Sequence, residues 1–168
     1  MKPEFVNAIV QGFKEAGIDF ITTLTCTAAK PVIPVLNQDP SFVHVPVCNE
    51  GDAIGICLGA YLGGKKPALL AENSGLVLSA HALMGAIYYM GGFPMLLVLD
   101  HKGAFGEYEG PWYFGGGQLT PPILDALRIP YTIVRDGSRF KAEIISGQKT
   151  AEAYGKPVAV LLTGEEAW

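Results

Sequence analysis

Glu50 closes the short apolar run VPVCN and opens a segment in which glycine recurs every fourth residue, at Gly51, Gly55, Gly59 and Gly63. Glycine inside a helix costs about 1 kcal/mol relative to alanine, so four on one side imply a helix face that something else approaches closely. An acid in the first turn is favoured by the helix macrodipole, for about 0.3 to 1 kcal/mol, and most such acids do nothing more. Between an apolar strand and a bare helix face the same carboxylate becomes buried once that face is covered. Burial raises a carboxyl pKa and suits the group to share a proton with a ligand.

The other groups able to do chemistry also fall just after apolar runs: Thr25-Cys26-Thr27, Glu72-Asn73-Ser74-Gly75, Asp100-His101-Lys102-Gly103, Arg135-Asp136-Gly137 and Thr163-Gly164. His101 has the titration range of a proton relay. Lys102 is a cation suited to a carboxylate, although a solvated surface lysine is the ordinary fate of that residue type. His81, in an apolar helical stretch, reads as a core residue. Cys26, Cys48 and Cys57 are odd in number and share no metal-ligand spacing, which reads as reduced packing thiols in a cytoplasmic protein. No G-x-G-x-x-G follows a strand and no G-x-x-x-x-G-K-[ST] occurs, so no backbone cradle for a diphosphate is found.

These candidates are positioned by a regular alternation. Residues 3–16 place Phe5, Val6, Ile9, Val10 and Phe13 at helical spacing, and DFITTLT reads as a strand. A short helix over 31–38, a strand SFVHVPV and the glycine helix over 50–63 follow. KPALLAEN is a third strand, 74–90 a long apolar helix, and FPMLLVLD a fourth strand without alternation, as suits burial on both faces. A glycine- and aromatic-rich loop then runs from His101 to Gly117, and PPILDALRI, IPYTIV, residues 139–154 and KPVAVLLT complete helix, strand, helix and strand. The pattern predicts one domain over residues 1–168: an α/β fold with a six-stranded parallel sheet and helices on both faces. In such folds ligands sit outside the carboxyl ends of the strands, where the polar groups cluster.

Composition sets outer limits. The chain has 168 residues, 49% hydrophobic and 17% charged, with a net charge of −4. That suffices for one sizeable core, and the lack of a basic stripe argues against nucleic acid or an anionic membrane as partner. The first 17 residues, interrupted by Glu4, Lys14 and Glu15, do not read as a secretory signal.

The stretch NEGDAIGICLGAYLGGKKPALLAENSGL resembles the pyrimidine-binding (PYR) domain of thiamine diphosphate enzymes, in particular the alpha subunits of sulfopyruvate decarboxylases and then phosphonopyruvate decarboxylases. The resemblance implies that Glu50 hydrogen-bonds the aminopyrimidine ring, promoting the tautomer that removes the thiazolium C2 proton before attack on a 2-oxo acid. It places Thr25, Asn73, Ser74 and Gly75 with Glu50 on the cofactor side, and Cys26, His101 and Lys102 toward substrate, His101 as a proton relay. It also implies that the diphosphate and Mg²⁺ are held by a partner subunit, because the family's Gly-Asp-Gly and downstream asparagine are not both found: Arg135-Asp136-Gly137 is present, but no asparagine follows Asn73. The expected assembly is a hetero-oligomer with at least two copies of each subunit.

Three departures bear on substrate and mechanism. Val77 replaces the second glycine of a Ser-Gly-x-Gly pattern, His81 stands where relatives often have asparagine, and His101-Lys102-Gly103 replaces an arginine-glycine loop. Loss of arginine's bidentate fork, together with Phe105, Tyr108, Trp112, Tyr113 and Phe114 in the loop, points to a 2-oxo acid with an apolar or aromatic side chain rather than a second strong anion. That loop also reads as a lid or interface loop. A carboligase subunit is an alternative enzyme reading, and a non-catalytic ligand-binding module using Glu50 only as a helix-end acid is a third.

Overall fold

A computed structural model describes residues 1–104 and 110–164. The strands are β1 (Phe20–Thr23), β2 (Val43–Pro46), β3 (Pro67–Glu72), β4 (Met95–Asp100), β5 (Tyr131–Val134) and β6 (Pro157–Leu162). They form one parallel sheet in the order β2-β1-β3-β4-β6-β5. The three unbroken apolar runs become its centre: β4 and β6 are buried at every residue, and β3 at all but Glu72. This is the six-stranded parallel architecture that the alternation predicts.

The helices are α1 (Pro3–Glu15), α2 (Ala29–Gln38), α3 (Glu50–Leu62), α4 (Ser74–Met84), α5 (Pro111–Ala126) and α6 (Phe140–Tyr154). Because successive strand residues point to opposite faces, the sheet builds two cores. Leu70, Leu96, Val98 and Val160 meet Ile9, Phe13, Val32 and Phe140 of α1, α2 and α6. Leu69, Leu97, Leu99 and Leu161 meet Ile54, Cys57, Leu76 and Leu124 of α3, α4 and α5. Among the described residues no helix is long and apolar enough to cross a membrane.

The crossovers fix where a ligand can sit. From β1 the chain passes through α2 to β2 at the sheet edge, then returns through α3, on the opposite face, to β3 beside β1. The carboxyl ends of β1 and β3 therefore border a crevice from which helices diverge.

Two elements differ from expectation. The helix expected over 74–90 is α-helical only to Met84; a π-helical turn, Gly85–Tyr89, follows, and Gly91 and Gly92 leave it at positive φ. The segment from 111 to 117, expected as loop, is instead the first half of α5, which continues through Pro121 and Pro122 to Ala126. Three consecutive glycines, Gly115 to Gly117, at about 1 kcal/mol each, and two prolines argue locally against a helix. Tertiary contacts at the exit of β4 override them.

Candidate active site

The start of α3 is built by Asn49, whose Oδ1 accepts hydrogen bonds from Gly51 N (2.7 Å) and Asp52 N (3.4 Å). With the cap supplied by Asn49, the Glu50 side chain is not needed for it and turns inward, leaving the residue 5% exposed. It lies against Gly75 in the first turn of α4, where an added Cβ would overlap the carboxylate. No hydrogen bond to that carboxylate forms among the described residues. A buried acid in a cradle only glycine can provide, with its acceptor capacity unspent, is suited to a ligand that presents an N–H or ring nitrogen.

Asn73, at the exit of β3, has a different occupation. Its Nδ2 donates to Lys102 O (3.1 Å) and Thr120 Oγ1 (3.0 Å), and its Oδ1 accepts from Lys102 N (3.1 Å). The side chain brackets the exits of β3 and β4 to α5. Ser74 is exposed, and its hydroxyl donates to Glu72 Oε1 at 2.8 Å. Glu72 pairs in register with Asp100, which is fully buried.

At the exit of β4, His101 and Lys102 are both buried, at 2% and 7% exposure. His101 Nε2 lies 2.9 Å from Gly117 O; a carbonyl only accepts, so Nε2 carries a proton and donates it. Lys102 corrects the expectation of a surface lysine. Its Nζ donates to Thr27 Oγ1 (2.8 Å) and stands 4.8 Å from the centroid of the Tyr113 ring, a cation–π contact.

Cys26 is half-buried. Burial pushes its thiol up to about 11, and the nearby Asp100 and Glu72 carboxylates push the same way, so near neutrality it is a packing thiol rather than a nucleophile. Thr25, Cys26, Thr27 and Lys30 line an open cleft at the exit of β1, with Thr25 exposed. The expected residues thus join into an arc. Glu50 touches Gly75, Asn73 binds Lys102, and Lys102 reaches Thr27. Ser74 and Thr25 lie on its exposed side.

Other expectations change place. His81 is exposed on α4 rather than in the core. Asp136 accepts from Ser138 N at 2.9 Å and holds a turn, its carboxyl kept below the ordinary range by that serine. Gly117 and Thr120 were not singled out by sequence reasoning, Thr27 entered only in the first strand-exit trio, and Tyr113 entered only among the loop aromatics rather than as a partner of Lys102; the run of glycines before two prolines marks α5 as unusual. Phe105 and Tyr108 lie outside the described residues.

Outside the arc, α3 and α4 pack side by side. An added Cβ at Gly55 or Gly59 would meet nothing within 4 Å. Ile56, Leu62, Val77 and Leu78 on the same two helices are exposed.

No family model matches the chain. It is 34% identical over 156 residues to the sulfopyruvate decarboxylase subunit alpha of Methanococcus maripaludis, covering 93% of this chain and 92% of that one. It is 33% identical over 165 residues to the subunit of the same name from Methanothermobacter thermautotrophicus, covering 96% and 97%. Among solved structures, a 2-oxoglutarate:ferredoxin oxidoreductase from Magnetococcus marinus superposes with a TM-score of 0.73 at 23% identity, over 97% of this chain and 29% of the longer one. That likeness bears on the fold.

Proposed function

The chain belongs to the family of sulfopyruvate decarboxylase alpha subunits, and from this premise we propose that it is the pyrimidine-binding subunit of a two-subunit, thiamine diphosphate-dependent 2-oxo acid decarboxylase. The observation that carries the reading is Glu50: a buried carboxylate at the start of α3, without a hydrogen-bond partner among the described residues, in a cradle that a Cβ at Gly75 would fill. When bound, the cofactor supplies the electron sink for loss of carbon dioxide. Glu50 holds a proton at the aminopyrimidine. No other described residue occupies the carboxylate, which leaves it available for that role.

Lys102 receives the substrate carboxylate. Its ammonium is positioned by Thr27 and Tyr113 rather than by a carboxylate among the described residues. Trp112 and Phe114 are largely exposed, at 75% and 57%, which weakens the case for an apolar substrate pocket. With Lys102 taken by the carboxylate, the substrate named for the relatives is what favours 2-oxo acids bearing a second anionic group. His101 acts by position rather than as a proton relay, since its N–H is committed to Gly117 O.

Diphosphate and Mg²⁺ fall to the partner subunit, in an assembly with at least two copies of each chain, and the open glycine face of α3 is where this chain meets it. Free thiols at Cys26, Cys48 and Cys57 support a reducing, cytoplasmic setting.

The test is reconstitution with the partner, thiamine diphosphate and Mg²⁺, followed by a comparison of sulfopyruvate, phosphonopyruvate, pyruvate and aryl-substituted 2-oxo acids. Glu50→Gln should lower turnover about 100-fold or more and slow hydrogen–deuterium exchange at cofactor C2. Unchanged exchange in a folded, cofactor-loaded Glu50→Gln complex would remove Glu50 from the chemistry. Robust Mg²⁺-dependent turnover by this chain alone would remove the partner.

A further inference from the structure

We propose that residues 111–119 form a separately opening helical lid over Lys102, hinged at Pro121–Pro122 and latched by His101. The two halves of α5 are held by different means. In the second half Leu124 is fully buried in the core. In the first half no residue before Gly117 is buried; Pro111, Trp112, Phe114 and Gly115 are exposed. Glycine at three successive positions gives this half little helical preference of its own.

The prolines separate the halves. In an α-helix the carbonyls of Gly117 and Gln118 would accept the N–H groups of residues 121 and 122, and both are proline, which has none. Two adjacent rungs of the ladder are missing. His101 replaces one of them: its Nε2–H donates to Gly117 O at 2.9 Å. The ring accepts an unmet polar atom to do so, since the buried Nδ1 has no partner among the described residues. A residue present only to fill space there would be apolar.

Among the described residues, Thr120 Oγ1 donates to Gly116 O (2.8 Å) at the hinge side, and the other attachments named for the first half lead to the exit of β4. Gly103 meets the Tyr113 carbonyl and Gly117 so closely that a Cβ on either glycine would overlap backbone. Gln118 Nε2 donates to Gly103 O at 3.1 Å. The Tyr113 ring lies over the Lys102 ammonium. At the hinge, Thr120 stays tied to Asn73 (3.0 Å). Breaking the contacts to residues 101–103 therefore releases 111–115 from the β4 exit, leaves the Thr120–Gly116 bond as a pivot, and uncovers Lys102. Segments with few buried apolar contacts open at lower free energy than the domain as a whole.

Hydrogen exchange on the full chain tests this without turnover, so its outcome is independent of the catalytic reading. In the unmodified chain the amides of 115–119 should exchange at least about tenfold faster than those of 124–127. His101→Phe, which keeps a ring but loses the donor, should speed 115–119 by a further tenfold or so and leave 124–127 unchanged; acetylation of Lys102 by an amine-reactive ester should rise in parallel. His101→Gln, whose amide N–H can reach the same carbonyl, should stay near the unmodified rates. Pro121→Ala restores a helical N–H to Gly117 and should slow exchange of 115–119 in the His101→Phe background. Should His101→Phe not fold, Pro121→Ala alone is decisive, because it should slow 115–119 in the otherwise unmodified chain. Equal rates across both halves, uniform acceleration in His101→Phe, or no slowing by Pro121→Ala would each overturn the lid.

Discussion

At Gly55 and Gly59, on the outer side of α3, an added Cβ would meet nothing within 4 Å, whereas at Gly75, Gly103 and Gly117 it would overlap the Glu50 carboxylate, the Tyr113 carbonyl and the Gly103 carbonyl. The second set is explained by the chain's own packing: each glycine lets two elements meet at a strand exit. The first set has no such explanation. Glycines at exposed helical positions weaken α3 by about 1 kcal/mol apiece and gain nothing inside this chain. Their reason lies in what covers them.

The largest effect should come from Gly103→Ala. Gly103 sits at a φ of +72° with its Cα against the Tyr113 backbone, so a methyl group is disfavoured by conformation and by overlap with a carbonyl that yields only if the first half of α5 lifts. The expected cost is about 3 kcal/mol or more, read as a lowered denaturant midpoint. A cost under about 1 kcal/mol would mean that α5 can lift from the β4 exit without penalty, and the distinction between the two sets of glycines would blur.

Gly75→Ala comes next and separates packing from chemistry. The overlapping group is the Glu50 side chain, which can rotate away, so the chain should fold with a loss of about 1 to 3 kcal/mol. The displaced carboxylate should then cost the reconstituted enzyme about 100-fold in turnover, a loss much like that of Glu50→Gln. Full activity in a folded Gly75→Ala complex would show that the cradle does not set the position of Glu50.

The same contrast explains what could be read from the chain beforehand. Unbroken apolar runs such as MLLVLD and PVAVLL declare central parallel strands because burial on both faces leaves no room for alternation. The strand-exit clusters followed from the sheet. Glu50 was legible as an acid opening a glycine helix, but the role of Gly75 was not: it depends on how closely α3 approaches α4, a distance that no local pattern encodes. α5 was misread for a related reason. Its glycines and prolines state a true local preference against helix, and the contacts that override it come from His101, Gly103 and Asn73, distant in sequence by up to 47 residues. Lys102 was expected at the surface because nothing in its own neighbourhood shows that Tyr113 covers it, and His81 was expected in the core because α4 is apolar on sides that this chain alone leaves open.

The smallest effect is the most discriminating for the open face. In the isolated chain Gly59→Ala places a methyl group in empty space on an exposed helix position. Helix preference then dominates, and the chain should gain about 1 kcal/mol of stability. If a partner covers this face, the same methyl intrudes on a packed contact, where overpacking costs about 1 to 3 kcal/mol. The sign of the effect should therefore reverse between the lone chain, measured by thermal or denaturant unfolding, and the two-subunit complex, measured by its dissociation constant, with Gly59→Leu exaggerating the second result. A variant that is stabilised alone and assembles as tightly as the unmodified chain would place the partner elsewhere, and the reason for the open glycines Gly55 and Gly59 on α3 would have to be sought in a ligand rather than a subunit.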